Sequence, residues 1–401
     1  MLPPMEGAVG PLPLDGFRII DCSTVLAGPL AATHLGDFGA DVVKVELPNN
    51  RQMPLRGLRL QEERNKRSVT IDLRVPEGQD LLVRLASTAD ALIENFRPGT
   101  FEKWNLSPER LLEANPRLII HRLSAFGQTG PWSGFGGYDR QAQAISGATY
   151  VTGFPDGEPV RSGFATADYM AGIWGAFSIL LAAYWRDTRG GTGQVSDLAL
   201  FEPMLRSCEA AITEFSLSGL VRERSGNSNP GVVPAANFQT KDGVAVAINA
   251  NNDRQWARLA NVIGRPDLAD APDYRMPERV KHGPEIYPLI SAWVSEHTVA
   301  EVEEALVAAG VPCAPILNTR QILEHPMIRG RGSIITIPWA DREIAMVDAL
   351  PRLSKTPGKV RRPGPRPGEH TREVLEEAGL SASEIAALSG SGAIGPLPPN
   401  D

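Results

Sequence analysis

Cysteine is scarce in this chain: its 401 residues include three, Cys22, Cys208 and Cys313, widely separated and in no CxxC pair. That spacing argues against a disulfide framework and a zinc-binding thiolate set, and it suits a reducing compartment. Histidine is almost as sparse, six dispersed residues with no HExxH pair to hold a metal. No GxxxxGK[ST] loop is present to cradle phosphates, and no GxSxG elbow to carry a serine nucleophile. Net charge is −7 with no basic stripe, which sets aside a nucleic-acid partner. The first residues lack a basic start followed by an apolar stretch, so no signal peptide is read. The longest apolar run, 169–185, is short for a membrane span and rich in Ala and Gly, so it reads as a buried helix. The expectation is a cytoplasmic protein, off the membrane and without a bound metal.

What is there is ordinary globular composition, 42% hydrophobic and 22% charged, over a length that implies two or three domains or one large and one inserted. Residues 17–46 read as a β-α-β unit, with Pro29 suited to a helix start and Gly39 to its stop. Glu46 falls where a ribose-binding acid would, yet only Gly28 occupies the turn where a dinucleotide fingerprint needs three glycines. Nicotinamide and flavin binding are therefore not expected. Strand-like runs at 68–73, 91–96 and 117–126, with an amphipathic helix at 76–89, predict a mostly parallel sheet covered by helices. The loops at 23–29, 94–99 and 124–131 are expected to line a crevice beyond the carboxyl ends of the strands.

The pattern changes after about residue 225. An Asp242–Gly243 turn between two strand-like runs signals a hairpin. A helix over about 253–263 stops at Gly264. Another opens with a Thr298–Glu301 capping box and stops at Gly310. The predicted division is a large domain over 1–224, a small α+β domain over 225–325, and a linker plus returning segment over 326–401. The stretch 356–370 reads as an extended connector followed by two short helices, and the tail 395–401 as lacking fixed structure.

Asp168 opens the apolar run, in "GFATADYMAG", 163–172. Its plainest role is capping, since Thr166 or Asp168 can accept from free N–H groups at a helix start, and the helix dipole favours acids there. The same position also suits a nucleophile. A helix N-terminus favours the ionised carboxylate, and a carboxylate can attack an activated acyl carbon. Such chemistry needs an oxyanion hole from backbone N–H groups, for which the glycines of "SGNSNPG", Gly226 and Gly231, are candidates. They read equally well as a plain loop.

A series of segments carries a resemblance: "VLAGPLAATHLGDFGADVVKVE", "ERNKRSVTIDL", "ENFRPG", "ANPRLI", "FGQTGP", "GYDRQAQAISG" and "ADYMAG", in that order, with "PRPGEHTREVLEEAGLSASEIAAL" near the end. Together they resemble the class III CoA-transferases, a family that also contains α-methylacyl-CoA racemase, over roughly residues 14–390. The resemblance implies an α/β fold with a Rossmann-like large domain built from both chain ends, a smaller α+β domain, and an interlocked homodimer. It implies Asp168 as the nucleophile, forming an aspartyl mixed anhydride and then an aspartyl-CoA thioester, with acyl-CoA and a small carboxylic acid as substrates and no cofactor. It assigns CoA contacts to Val25, Ala27, Asn95, Phe96, Arg97 and Lys103, and the substrate pocket to Tyr138, Asp139, Gly226 and Gly231.

The chain departs from that family pattern at several points. Leu26 and Leu47 stand where formyl-CoA transferase has polar or basic side chains. The glycine loop is thin, with only Gly231 between Asn229 and Pro234. The racemase branch places a histidine before its aspartate, whereas here the pair is Tyr138–Asp139, and a tyrosine is a poor base at neutral pH. A CoA-transferase is the leading reading, with a racemase or a non-catalytic acyl-CoA-binding protein as alternatives. Succinyl-CoA with a short dicarboxylate (glutarate, malate or itaconate) is the leading expectation for the substrate pair, with aromatic and branched acids left open. Arg51, Arg56 and Arg161 are candidates for the distal carboxylate.

Overall fold

The structure is a computed structural model that describes residues 10–48, 56–229 and 231–397. Arg51, the side chain of Arg56 and the last four residues lie outside the described residues. The start of the expected tail, 395–397, is placed: the Gly395 N–H donates to Thr70 Oγ1 at 3.2 Å, and Leu397 packs on the core.

The chain packs as two compact units. Of the described residues, one gathers those within 1–148, 161–214 and 332–401; the other gathers those within 149–160 and 215–331. Short runs of β-branched residues make the core of the first. Its strands are β1 (Arg18–Asp21), β2 (Asp41–Glu46), β3 (Lys66–Thr70), β4 (Ala91–Glu94), β5 (Ile119–Ser124) and β6 (Val195–Ala199). All pair in parallel, in the order β3-β2-β1-β4-β5-β6. Ile19, Ile20, Val42, Val43, Leu92 and Ile93 are buried, as a sheet covered on both faces requires. This is the Rossmann-like order expected above. It reverses between β1 and β4, which places a crevice beyond their carboxyl ends. β6 is absent from the sequence reading because "VSDLA" is short and half exposed. A further hairpin, β10 (Ile334–Trp339) with β11 (Arg342–Val347), also belongs to this unit.

Three helices position the site: α1 (Ala27–Asp37), α2 (Asp139–Ile145) and α3 (Thr166–Trp185). α3 lies on α1 through a stripe of small residues, Ala171, Gly172, Gly175 and Ala176, together with Ile179. The approach is close: a Cβ on Gly172 would stand 2.7 Å from a Leu30 methyl carbon, and one on Gly175 2.8 Å from His121 Nε2. The expectation of a wholly buried helix holds for one face only. Ile173, Trp174, Phe177, Leu181 and Tyr184 on the other face are exposed. The helix is long and apolar enough to cross a membrane by length and composition, but its small-residue face packs into the body of the fold.

The second unit carries the antiparallel sheet β7 (Ala235–Gln239), β8 (Ala245–Asn249) and β9 (Cys313–Pro315), with the hairpin turn at Asp242–Gly243. Helices Asp253–Val262, Gly283–Ser295 and Val299–Ala309 bury Trp256, Leu259, Ile286, Ile290, Val302 and Leu306 against it. The Thr298–Glu301 capping box and the left-handed Gly310 bound the last of these helices. Segment 149–160 packs here through bonds that no local pattern announces. The Gly226 N–H donates to Gly153 O at 2.9 Å, and Arg224 donates to Tyr150 O at 2.8 Å.

Overfilling the α1–α3 contact tests this packing. Gly172→Val is expected to destabilise the protein by about 1–3 kcal/mol, because Leu30 cannot withdraw from a close-packed layer. Gly390→Ala, within the helix Ala382–Ser391 and with open space at its Cβ, serves as the clash-free control and should leave stability unchanged or slightly raised in the same thermal melts.

Candidate active site

The turns after β1 and β4 are tied together first. The Thr24 N–H donates to Asn95 Oδ1 and Asn95 Nδ2 donates back to Thr24 O, both at 2.7 Å. Glu94 fixes the second turn from below: Oε2 accepts from the Phe96 N–H at 2.8 Å, and Oε1 from Arg122 Nε at 2.7 Å. The clamp leaves Val25 at φ 67° and 49% exposed. A β-branched residue in the left-handed region is strained, and such strain persists only where the surroundings impose it.

A buried ion cluster supplies that imposition. The Asp21 carboxylate accepts from Lys66 Nζ at 2.9 Å, Lys44 Nζ at 3.3 Å and the Ser23 N–H at 3.0 Å. Lys44 also bonds Ser23 O, and Lys66 donates to Glu63 and to Pro29 O at 2.7 Å each. Burial alone would raise the Asp21 pKa, but the two lysines outweigh it and hold it near 2. The 23–25 turn therefore rests on a rigid floor.

Beyond these turns lies a cleft of about 240 Å³. It brings together Val25, Ala27, Asn95, Phe96, Arg97, Tyr138 and Asp168 of the residues singled out in the sequence, with Leu26, Phe135 and Leu200 among the apolar walls. A smaller pocket lined by Lys44, Glu46, Leu47 and Arg59 shares Thr24, Val25 and Phe96 with it. Arg97 makes no ion pair with the described residues. The loop over it passes close to the guanidinium: a Cβ on Gly136 would stand 2.7 Å from an Arg97 guanidinium nitrogen. Tyr138 is 69% exposed on the rim. Lys103, on the short helix Thr100–Lys103, and Arg161, whose Nη1 donates to Ser162 O at 2.8 Å, are exposed and outside the cleft lining.

Asp139 does not line the cleft. Its Oδ1 accepts from the Ala167 N–H at 2.8 Å and its Oδ2 from Gln143 Nε2 at 2.7 Å. Gln143 Oε1 in turn accepts from the Ser162 N–H at 3.1 Å. Asp139, carried on α2, is thus a cap for α3, and neither Thr166 nor Asp168 caps it. This partner, 28 residues away in sequence, is not found by reading the helix start alone. Tyr169, beside Asp168, donates to Glu62 Oε1 at 2.8 Å and secures the same turn from the other side. Gly226 and Gly231 lie in the second unit. The Gly226 N–H is bonded to Gly153 O and the Gly231 N–H to Asn229 Oδ1 at 3.0 Å, so neither amide is open to an oxyanion in this conformation.

The ionisation of Asp168 runs opposite to the sequence expectation. Burial and then the neighbouring Asp139 charge push its pKa up to about 7. They outweigh the helix end, whose Ala167 N–H is already taken by Asp139. In an unfolded chain an aspartate titrates near 3.8, so the native state holds an extra proton between that value and about 7. Native stability from this group is therefore lost as pH rises through that window. Asp168→Asn mimics the neutral form. Its melting temperature is expected to match wild type near pH 4 and to exceed it by several degrees at pH 8, as read from paired thermal melts.

Among the described residues, no group of three or more His, Cys, Asp or Glu is arranged to hold a metal ion. The model of CoA-transferase family III matches residues 14–371. The chain is 41% identical over 388 residues to the succinyl-CoA–L-malate CoA-transferase beta subunit of Chloroflexus aurantiacus, covering 93% of this chain and 96% of that one. It is 40% identical over 392 residues to the succinyl-CoA–D-citramalate CoA-transferase of the same organism, covering 94% and 97%. A crystal structure of a CAIB/BAIF family protein from Brucella suis superposes with a TM-score of 0.82 at 30% identity, covering 92% of this chain and all of that one. With its fold, cleft and sequence in agreement, the chain belongs to the family III CoA-transferases.

Proposed function

We propose that this CoA-transferase carries CoA from succinyl-CoA to a dicarboxylic acid of four or five carbons, through covalent intermediates on Asp168. The observation that carries the reading is an Asp168 carboxylate relieved of capping duty and placed in one cleft with the Thr24–Ala27 and Asn95–Arg97 turns. The Chloroflexus relatives, named for succinyl-CoA with malate or citramalate, support the donor and the acceptor class. In this reading Val25, Ala27, Asn95, Phe96 and Arg97 hold CoA, Lys103 meets a phosphate, and Tyr138 walls the acyl group.

An Asp168 carboxylate oxygen attacks the thioester carbon. The C–S bond breaks, CoA leaves as thiolate, and an aspartyl–succinyl anhydride remains. The thiolate then attacks the Asp168 carbonyl of the anhydride, succinate departs with its carboxylate, and an aspartyl-CoA thioester forms. An acceptor carboxylate repeats both steps in reverse. Two easier displacements replace one difficult exchange, and no electrons change hands. Tyr138 stands where the racemase branch has its second acid–base group, and among the described residues no histidine and no carboxylate besides Asp168 lines the cleft to serve the opposite side of the α-carbon.

We place the enzyme in the cytoplasm, where its three free thiols remain reduced. We also propose a homodimer, in which a second copy covers the exposed apolar face of α3.

Borohydride trapping with succinyl-CoA, followed by tryptic mass analysis of peptide 162–186, is expected to show a mass change at Asp168. Asp168→Asn should lower exchange with malate or citramalate to background, and a variant retaining substantial exchange removes the covalent route. Because attack needs the ionised carboxylate, kcat/KM is expected to rise with pH through about 7, the value for the free enzyme. Light scattering after size exclusion should give twice the chain mass, and for the interlocked dimer expected from the resemblance Leu181→Glu should lower the yield of folded dimer rather than release a folded monomer.

A further inference from the structure

The carboxylate at Asp139 has a placement that capping alone does not require. Both oxygens are engaged, one by the Ala167 N–H and the other by the Gln143 amide, so the charge cannot swing away. Its neutral analogue, asparagine, can accept the same Ala167 N–H and caps helices about as well. What the aspartate adds is a fixed negative charge behind the residue that follows Ala167, which is Asp168 itself.

The other charged and titratable groups around this turn leave that charge uncompensated. Arg97 and Tyr138 line the same cleft as Asp168. Tyr169 is bonded to Glu62, and Arg64 and Lys66 act on that pair. Among the described residues no cation bonds Asp139; its partners are two neutral donors. Of these neighbours, Asp139 is the charge that acts on Asp168.

We infer that Asp139 is a positioning residue that also acts electrostatically, its fixed charge making the free, ionised Asp168 the unfavourable partner, so that acylation of Asp168 relieves the repulsion. This rests on the covalent reading above. In the first step the thioester is neutral and Asp168 carries the negative charge; afterwards the anhydride is neutral and the charge sits on the CoA sulfur. In the second step it passes to the departing carboxylate. Either covalent state therefore removes one of two like charges held close together in a partly desolvated site. The same repulsion makes Asp168 a more basic and hence stronger nucleophile, one that still ionises near neutral pH.

The test compares wild type with Asp139→Asn and Asp139→Glu, each confirmed folded by thermal melting. Two readouts are taken: the titration of the Asp168 carboxyl 13C resonance in the ligand-free protein, assigned by its loss in Asp168→Asn, and the fraction of enzyme carrying an adduct with succinyl-CoA. Asp139→Asn is expected to lower the titration midpoint by about one pH unit or more and the adduct fraction about threefold or more. Asp139→Glu, which keeps the charge, should restore both toward wild type. A midpoint that does not move in Asp139→Asn overturns the inference, and so does an unchanged adduct fraction. If the midpoint moves but wild type forms no adduct, the covalent reading itself has failed and the inference falls with it.

Discussion

The bond from the Ala167 N–H to Asp139 is the constraint on which the site depends. A helix start leaves several N–H groups unsatisfied, and a nearby acid usually answers them at a benefit of about 1 kcal/mol. Had Asp168 done so, its carboxylate would have been turned into the helix and its lone pairs occupied. Asp139 fills that role from a different helix, with Gln143 tying both the cap and the 162–164 approach segment to α2. α3 can then present an acid that has no structural duty. The small-residue face behind it matters equally, because a helix seated directly on α1 leaves Asp168 little room to drift.

On the other wall of the cleft the same logic is carried by ions. Asp21, Lys44, Lys66 and Glu63 are expensive to desolvate, and removing one partner from such a cluster typically destabilises by about 3–5 kcal/mol. Their retention makes sense as specificity: Lys44 and Asp21 both hold Ser23, and Asn95 holds Thr24 from both sides. Val25 follows these two anchored residues in its left-handed conformation. In the proposed cycle a long, flexible thioester meets a turn that is already in place, so less of its binding free energy goes into ordering the protein.

Local signals account for what the sequence made legible. The β1-α1-β2 unit, the Asp242–Gly243 hairpin, the Thr298 capping box and the Gly310 stop each depend on a few adjacent residues, and each is where the pattern put it. The cleft-lining turns could be anticipated from the alternation of strands and helices, since a parallel sheet places its crevice beyond the carboxyl ends of its strands; the reversal between β1 and β4 appears only in the structure. Features set by distant partners were hidden. β6 pairs with β5 across 75 residues of chain, with His121 opposite Ser196, and its own five residues are half exposed. Segment 149–160 takes its place from Glu223, Arg224 and Gly226. Even the resemblance, which pointed to both Asp139 and Asp168, put Asp139 in the substrate pocket, because a motif records which residue is present and not which way its carboxylate faces.

The ionisation of Asp168 shows why that orientation has chemical weight. An acid held fully ionised by a helix end would be a weak base, slow to attack a thioester and an easy leaving group once acylated. An acid raised far above neutrality by burial would be protonated and inert. Burial and one fixed like charge place Asp168 between these limits, near 7. If Asp139 instead faced the substrate, as the motif alone suggested, its charge would oppose the carboxylate of every incoming acid. Turned inward to the Ala167 N–H, it repels Asp168 in the ground state while two neutral donors hold it in place. One residue thereby frees the proposed nucleophile from capping and raises its pKa, which ties the geometry of α3 to the acid strength of the group it carries.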